Sequence, residues 1–161
     1  MRIIFVIGPA FSGKSIYVKK NFPDATVVNI STFNRIAEVA EDNTELEKIA
    51  ENAQIYCRED LLNRIRGAKE DEVIVLEHQL LTAASRKFFV DAIKEVTDTP
   101  IECVVMSPSD EMIEKMLNKE KALIVFHAYE KGKLELPSIA EGFDVINVVH
   151  PIFDPNDMQR N

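Results

Sequence analysis

Lys14 and Ser15 close an eight-residue stretch, Gly8-Pro9-Ala10-Phe11-Ser12-Gly13-Lys14-Ser15, that reads G-x-x-x-x-G-K-S. This is the pattern of a phosphate-binding loop. Gly8 and Gly13 permit positive φ and let the main chain approach a phosphate group closely. The intervening N–H groups can then turn inward as an anion nest. A helix opening near Gly13 would add its unpaired N–H groups and the positive end of its dipole. Lys14 would bring a point charge to the β- and γ-phosphates of a nucleoside triphosphate, and the Ser15 hydroxyl is a ligand type for Mg²⁺. Ile16 follows directly and completes the stretch expected to hold the nucleotide.

A second piece of chemistry ends the apolar run Val73-Ile74-Val75-Leu76, which leads into Glu77-His78. Phosphate-loop proteins place an acid at the end of a second buried strand, reaching Mg²⁺ directly or through water. Glu77 is the candidate, and an ordinary solvated acid is the alternative. His78 has no assigned partner and reads as a structural or rim residue rather than a substrate contact. Phosphoryl transfer also needs positive charge over the transferring group. Lys115 and Lys119 either belong to a lid, spanning approximately 109–121, that closes over ATP and excludes water, or lie on a solvated face among Glu111, Glu114 and Glu120.

The elements that must position these residues follow from the pattern. Ile3–Ile7 is a short buried strand running straight into the glycine loop. Ala25–Ile30 reads as a second strand, with Ser31-Thr32 capping a helix that carries Phe33, Ile36, Ala37 and Ala40. Thr44 and Glu47 form a capping-box pattern, and apolar residues recur every three or four positions from 45 to 66, ahead of Gly67. Val73–Leu76 has the continuous apolarity of a parallel strand covered on both faces. Thr82 caps a helix over 83–96, with Ala84, Phe88, Ala92 and Ile93 expected inward. Ile101–Met106 is a fourth strand. Ser109 caps a helical stretch over 111–131, in one or two pieces, and Gly132 and Pro137 bracket a loop. Asp144–Val149 is the last strand, and residues 151–161 read as a tail lying along the surface.

Strands thus alternate with helices, which predicts an α/β fold with a parallel sheet and helices on both faces. Ligands of such sheets bind at the carboxyl ends of the strands. The stretches 8–15, 30–33, 77–80 and 107–109 are therefore expected at one edge. The 161 residues suit a single domain over 1–150 followed by the tail. No apolar run is long enough for a membrane helix, and the short N-terminal run leads straight into the loop, which argues against a signal peptide. Cys57 and Cys103 lack metal-ligand spacing and read as reduced core residues, which suggests a cytoplasmic setting. The net charge of −8 does not favour nonspecific binding to long nucleic acid, though a local basic groove stays open as an alternative.

Over most of its length the chain resembles the small P-loop kinases that include the kinase domain of phage-type polynucleotide 5′-kinases. The likeness rests on Gly8–Ser15, Asn29–Arg35, the long helix, Val73–Leu80 and the stretch Pro137-Ser138-Ile139-Ala140-Glu141-Gly142-Phe143-Asp144. It implies a five-stranded P-loop NTPase sheet of order 2-3-1-4-5, ATP and Mg²⁺ as cofactors, and phosphorylation of a hydroxyl group. It also implies that Arg35 holds an acceptor phosphate and that Lys115 and Lys119 stand near the lid arginines of the family. Lysine keeps their charge but lacks the planar fork. Ser31 falls near the aspartate that serves the family as general base, and a serine hydroxyl is no comparable base at neutral pH. Asp24, Glu38 and Glu77 are the nearest alternative acids in sequence. The expected activity is transfer of the ATP γ-phosphoryl group to a nucleic-acid 5′-hydroxyl, a nucleoside or another small hydroxyl compound. The alternative is a nucleotide-binding module or weak NTPase that acts as a switch.

Overall fold

The computed structural model describes residues 1–34 and 43–154. Five strands form one all-parallel sheet: β1 (Arg2–Ile7), β2 (Thr26–Asn29), β3 (Val73–Glu77), β4 (Ile101–Met106) and β5 (Val145–Val149). Their order across the sheet is β2-β3-β1-β4-β5, the order implied by the resemblance. The helices are α1 (Lys14–Asn21), α2 (Ile30–Asn34), α3 (Asn43–Arg66), α4 (Ala83–Val96), α5 (Asp110–Met116) and α6 (Lys121–Lys133), with a short 3-10 turn at Ile139–Glu141.

Alternation along β1 explains the layers. Ile3, Phe5 and Ile7 pack with Cys57, Leu61 and Ile65 of α3 and with Phe89, Val90 and Ile93 of α4. Ile4 and Val6 face the other way, onto Ile16 and Val18 of α1 and onto Phe153. Successive strand residues point to opposite faces, so a strand apolar at every position is sandwiched between helices on both sides. Cys57 and Cys103 are free and buried, and burial pushes both thiols up to about 12.

Parallel pairing aligns the strand ends. Val6 pairs with Glu77, Ile7 with Val105, and Asn29 with Glu77. The stretches that follow β1, β2, β3 and β4 therefore emerge at one edge, as the alternation predicted. Gly8 N–H donates to Gln79 O at 3.1 Å and His78 N–H to Val6 O at 3.2 Å, which extends the β1–β3 ladder into the glycine loop.

Several local details differ from the sequence expectation. On α4 Ile93 is buried and Phe88 and Ala92 pack half-buried against the core, as expected, but Ala84 is exposed and Arg86, Phe89 and Val90 are buried as well. Arg86 can be fully buried because it donates to both Glu141 carboxylate oxygens at 2.7 and 3.2 Å and to Leu80 O at 2.9 Å. Thr82 does cap α4, accepting from Ser85 N–H, and Ser109 caps α5 by accepting from Met112 N–H. The helical stretch after β4 is in two pieces, broken where Asn118 and Lys119 take positive φ. Gly132 lies inside α6 rather than in a loop. The tail is not wholly superficial: Phe153 is 5 % exposed and packs under the glycine loop. The expected helix positions Ile36, Ala37 and Ala40 lie outside the described residues.

Candidate functional site

The loop between β1 and α1 is built to keep its backbone close to a bound group. Gly8 and Gly13 have φ of 151° and 84°. A Cβ on Gly13 would lie 2.4 Å from the Phe153 ring, and one on Gly8 would lie 2.9 Å from Ser12 Oγ. Phe11 takes φ of 64°, an uncommon conformation for a bulky side chain. Such strain gathers at ligand clamps. Ser12 is fully buried and its Oγ has no hydrogen-bond partner among the described residues.

Lys14 Nζ donates to Gly8 O at 2.9 Å and to Pro9 O at 2.8 Å, folding the ammonium back beneath the loop. Burial lowers its pKa to about 8, against the opposing pull of the Glu77 and Glu130 charges. Ser15 Oγ donates to Glu77 Oε1, and Glu77 is 7 % exposed. The two residues proposed as metal ligands therefore meet at the floor of the site. A hydroxyl and a carboxylate side by side are the oxygen donors a hard cation selects. A cavity of about 280 Å³ lies here, bounded by Phe11–Ile16, Glu77, Met116 and Leu117.

The sequence reading missed what covers the loop. Glu130 of α6 accepts the Ala10 N–H at 2.7 Å, and the Nδ1–H of His127, one turn earlier, donates to Ala10 O at 2.7 Å. Phe126 meets Phe11 edge-on, with ring centroids 6.3 Å apart. Gln79 Nε2 also donates to Glu130 Oε1, at 3.4 Å. The only sequence signal was the i, i+3 spacing of His127 and Glu130, which sets both on one helix face. A carboxylate thus occupies a backbone donor of the anion nest, and an incoming phosphate oxygen at Ala10 has to displace it.

The remaining candidates are placed as follows. Lys115 is exposed and pairs with Glu111 at 3.6 Å. Lys119 is exposed in the α5–α6 turn. From this segment it is Met116 and Leu117 that line the loop cavity. Ser31 is exposed on α2, its N–H donating to Asn29 Oδ1 at 2.8 Å. Asp24 lies with Arg2, Glu72 and Val73, at the opposite end of the sheet from the loop. Arg35 and Glu38 lie outside the described residues. His78 is buried, its Nε2 2.8 Å from Gln54 Oε1. Burial, with the Lys14 charge, lowers its pKa to about 3, so its imidazole is neutral at physiological pH.

Solved structures share this arrangement of strands and helices. A candidate kinase of Chloroflexus aurantiacus superimposes with a TM-score of 0.66 at 9 % identity, over 92 % of this chain and 84 % of that one. A sugar kinase of Janibacter sp. gives 0.62 at 13 % identity, over 98 % and 90 %. A gluconokinase of Sinorhizobium meliloti gives 0.54 at 12 % identity, over 93 % and 84 %. The fold is that of the P-loop kinases. No family model matches the sequence, and no curated protein matches it significantly. These neighbours do not single out the polynucleotide 5′-kinases; what they share with this chain is the fold. No described helix is long and apolar enough to cross a membrane.

Proposed function

We propose that the chain is an ATP-dependent phosphotransferase that moves the γ-phosphoryl group of ATP to a hydroxyl acceptor. The observation that carries this reading is the convergence of Lys14, Ser15 and Glu77 beneath a glycine loop whose two ends leave no room for a Cβ. The loop N–H groups and α1 would receive the phosphates, and Lys14, released from Gly8 O and Pro9 O, would follow the charge of the transferring group. Ser15 and Glu77 would hold Mg²⁺, which when bound offsets phosphate charge. Lys115 and Lys119 would approach from the α5–α6 segment, and Arg35 would contact the acceptor.

In the reaction the acceptor oxygen bonds to the γ-phosphorus, the bond from that phosphorus to the bridging oxygen breaks, and ADP leaves with the electron pair. The acceptor proton passes to a base. Ser31 is too weak a base and Asp24 is at the wrong end; among the described acids, Glu77 and Glu130 border the loop site and Glu51 lines the adjoining cavity.

A second reading, a nucleotide-dependent switch, is favoured by the Glu130–Ala10 hydrogen bond, because a phosphate at Ala10 displaces a contact that α6 makes with the loop. ATP turnover with Mg²⁺ against sugars, nucleosides, 5′-hydroxyl oligonucleotides and water alone separates the two. Stimulation by an acceptor class, lost in Lys14→Ala, supports the kinase. Tight ATP binding with slow, acceptor-independent hydrolysis supports the switch.

A further inference from the structure

β5 lies at one side of the sheet, with β4 as its neighbour and no strand on its outer side among the described residues. An edge strand leaves a row of backbone N–H and C=O groups unpaired and is a template for another strand. Folded chains commonly blunt such an edge with a lysine, an inward-pointing charge or a proline. β5 carries none of these. Val145-Ile146-Asn147-Val148-Val149 is uncharged from end to end, in a chain whose net charge is −8.

Its side chains are left open as well as its backbone. Val145 is 43 % exposed and Val148 47 %. Successive strand residues face opposite sides, so the two valines show apolar surface on the two faces of the sheet. Ile146 packs half-buried on the α3–α4 side and Val149 on the α1 side. The opposite edge offers less. β2 has four residues, and Val27 is its one exposed large apolar side chain.

The sequence of β5 fits a copy of itself. In an antiparallel pair centred on Asn147, Val145 lies opposite Val149 and Ile146 opposite Val148, the kind of β-branched pairs that stabilise neighbouring strands. Asn147 meets its own counterpart on the two-fold axis, and a carboxamide carries both the donor and the acceptor that such a self-pair needs. At the ends no like charges meet, because Asp144 falls opposite His150. Both are exposed. Asp144 Oδ2 accepts the Ile101 N–H at 2.9 Å, and the Nδ1–H of His150 donates to Ser107 O at 2.8 Å, so β4 and the residue after it hold both ends of β5 in place. Pro151 follows and, having no N–H, stops the ladder there.

We propose that β5 is a self-association edge: a second copy of this chain pairs with it antiparallel over residues 144–150, about Asn147, and the two sheets become one. The proposal goes beyond the phosphotransferase reading and does not depend on it. Antiparallel pairing sends the carboxyl ends of the strands in opposite directions in the two copies. The two phosphate loops therefore open at opposite edges of the joined sheet, and each copy keeps its own Lys14, Ser15 and Glu77.

Sedimentation velocity on the full chain tests this. A strand-edge contact belongs to the small, transient class of interfaces, and the dimer should dominate by about 100 µM. Val148→Lys should weaken association about tenfold or more by placing a charge on the pairing strand. His150→Glu should weaken it too, by setting carboxylate against carboxylate. Both residues are exposed, so both variants should fold, which circular dichroism checks. Cross-linking reads the register. Directly opposed residues of an antiparallel pair have Cα atoms about 4.5–5.5 Å apart, within the span of a disulfide. Mild oxidation should therefore link Asn147→Cys to itself, and should link the double variant Val145→Cys, Val149→Cys. Val145→Cys alone should not link, because it faces Val149. Cys57 and Cys103 are buried and should stay out of the reaction. A chain that stays monomeric up to about 500 µM overturns the proposal. So does a dimer that Val148→Lys leaves intact, one that links through neither Asn147→Cys nor the double variant, or one that links as readily through Val145→Cys alone.

Discussion

The Glu130 carboxylate accepts the backbone N–H of Ala10 at 2.7 Å across 120 residues of sequence. It holds one donor of the phosphate nest, and its charge opposes any phosphate that arrives there. Removing it should strengthen nucleotide binding. A hydrogen bond to a charged group contributes about 1.5–3 kcal/mol, so Glu130→Ala should tighten ATP binding roughly tenfold or more. Calorimetric titration of both proteins reads this directly, and equal or weaker binding by the variant would show that the carboxylate does not compete.

Lys14 should make nucleotide binding sensitive to alkali. Its pKa of about 8 lies below the 10.5 of an ordinary lysine, chiefly because it is buried. Between these values the unfolded chain holds more protons than the folded one, so this group makes stability rise with pH across that window, and below pH 8 its cost is present in full. Phosphate favours the charged form. Binding above pH 8 should therefore take up a proton, and affinity should fall by up to about tenfold per pH unit. The matching observation is a pH-dependent enthalpy that varies with buffer ionisation and disappears in Lys14→Met. Binding that is flat from pH 7 to 10 would contradict it.

Glu77→Gln keeps the shape of the side chain and removes its charge beside Ser15. The half-saturating Mg²⁺ concentration for ATP turnover should rise about 10–100-fold. A Mg²⁺ titration that superimposes on that of the parent protein would remove Glu77 from the metal site.

Arg86→Met should act on stability rather than chemistry. It leaves Glu141, whose side chain is 15 % exposed, without its guanidinium partner. Breaking one side of a buried pair costs about 3–5 kcal/mol. Denaturant unfolding should show a lower midpoint, and a shift well under 1 kcal/mol would mean that the pair contributes little.

The glycine loop and the strand before it were legible as local patterns; Glu77 carried two readings, and its burial beside Ser15 disfavours the solvated one. The common edge followed from alternation alone. What was hidden depends on partners distant in sequence. Arg86 disguised the inner face of α4, because periodicity assigns a charged residue outward unless its partner, 55 residues away, is known. The Glu141–Asp144 stretch read as a family signature, yet each residue is structural. Glu141 holds Arg86, Gly142 takes φ of 109° against Val90 and Lys94, Phe143 packs edge-on to Phe5, and Asp144 accepts the Ile101 N–H. His127 and Glu130 gave little sign of function, because only the fold brings α6 to Ala10.

The Phe153 ring against Gly13 sets an order of events during synthesis. The phosphate loop leaves the ribosome well before Phe153, the side chain that backs it. Its parent strand β1 waits as well, since its two sheet neighbours, β3 and β4, are made much later. A growing chain thus carries the complete loop sequence without a finished loop until Phe153 has been made. ATP at saturating levels can reward only a chain extended past Phe153, and so favours folding steps that follow it over the earlier ones.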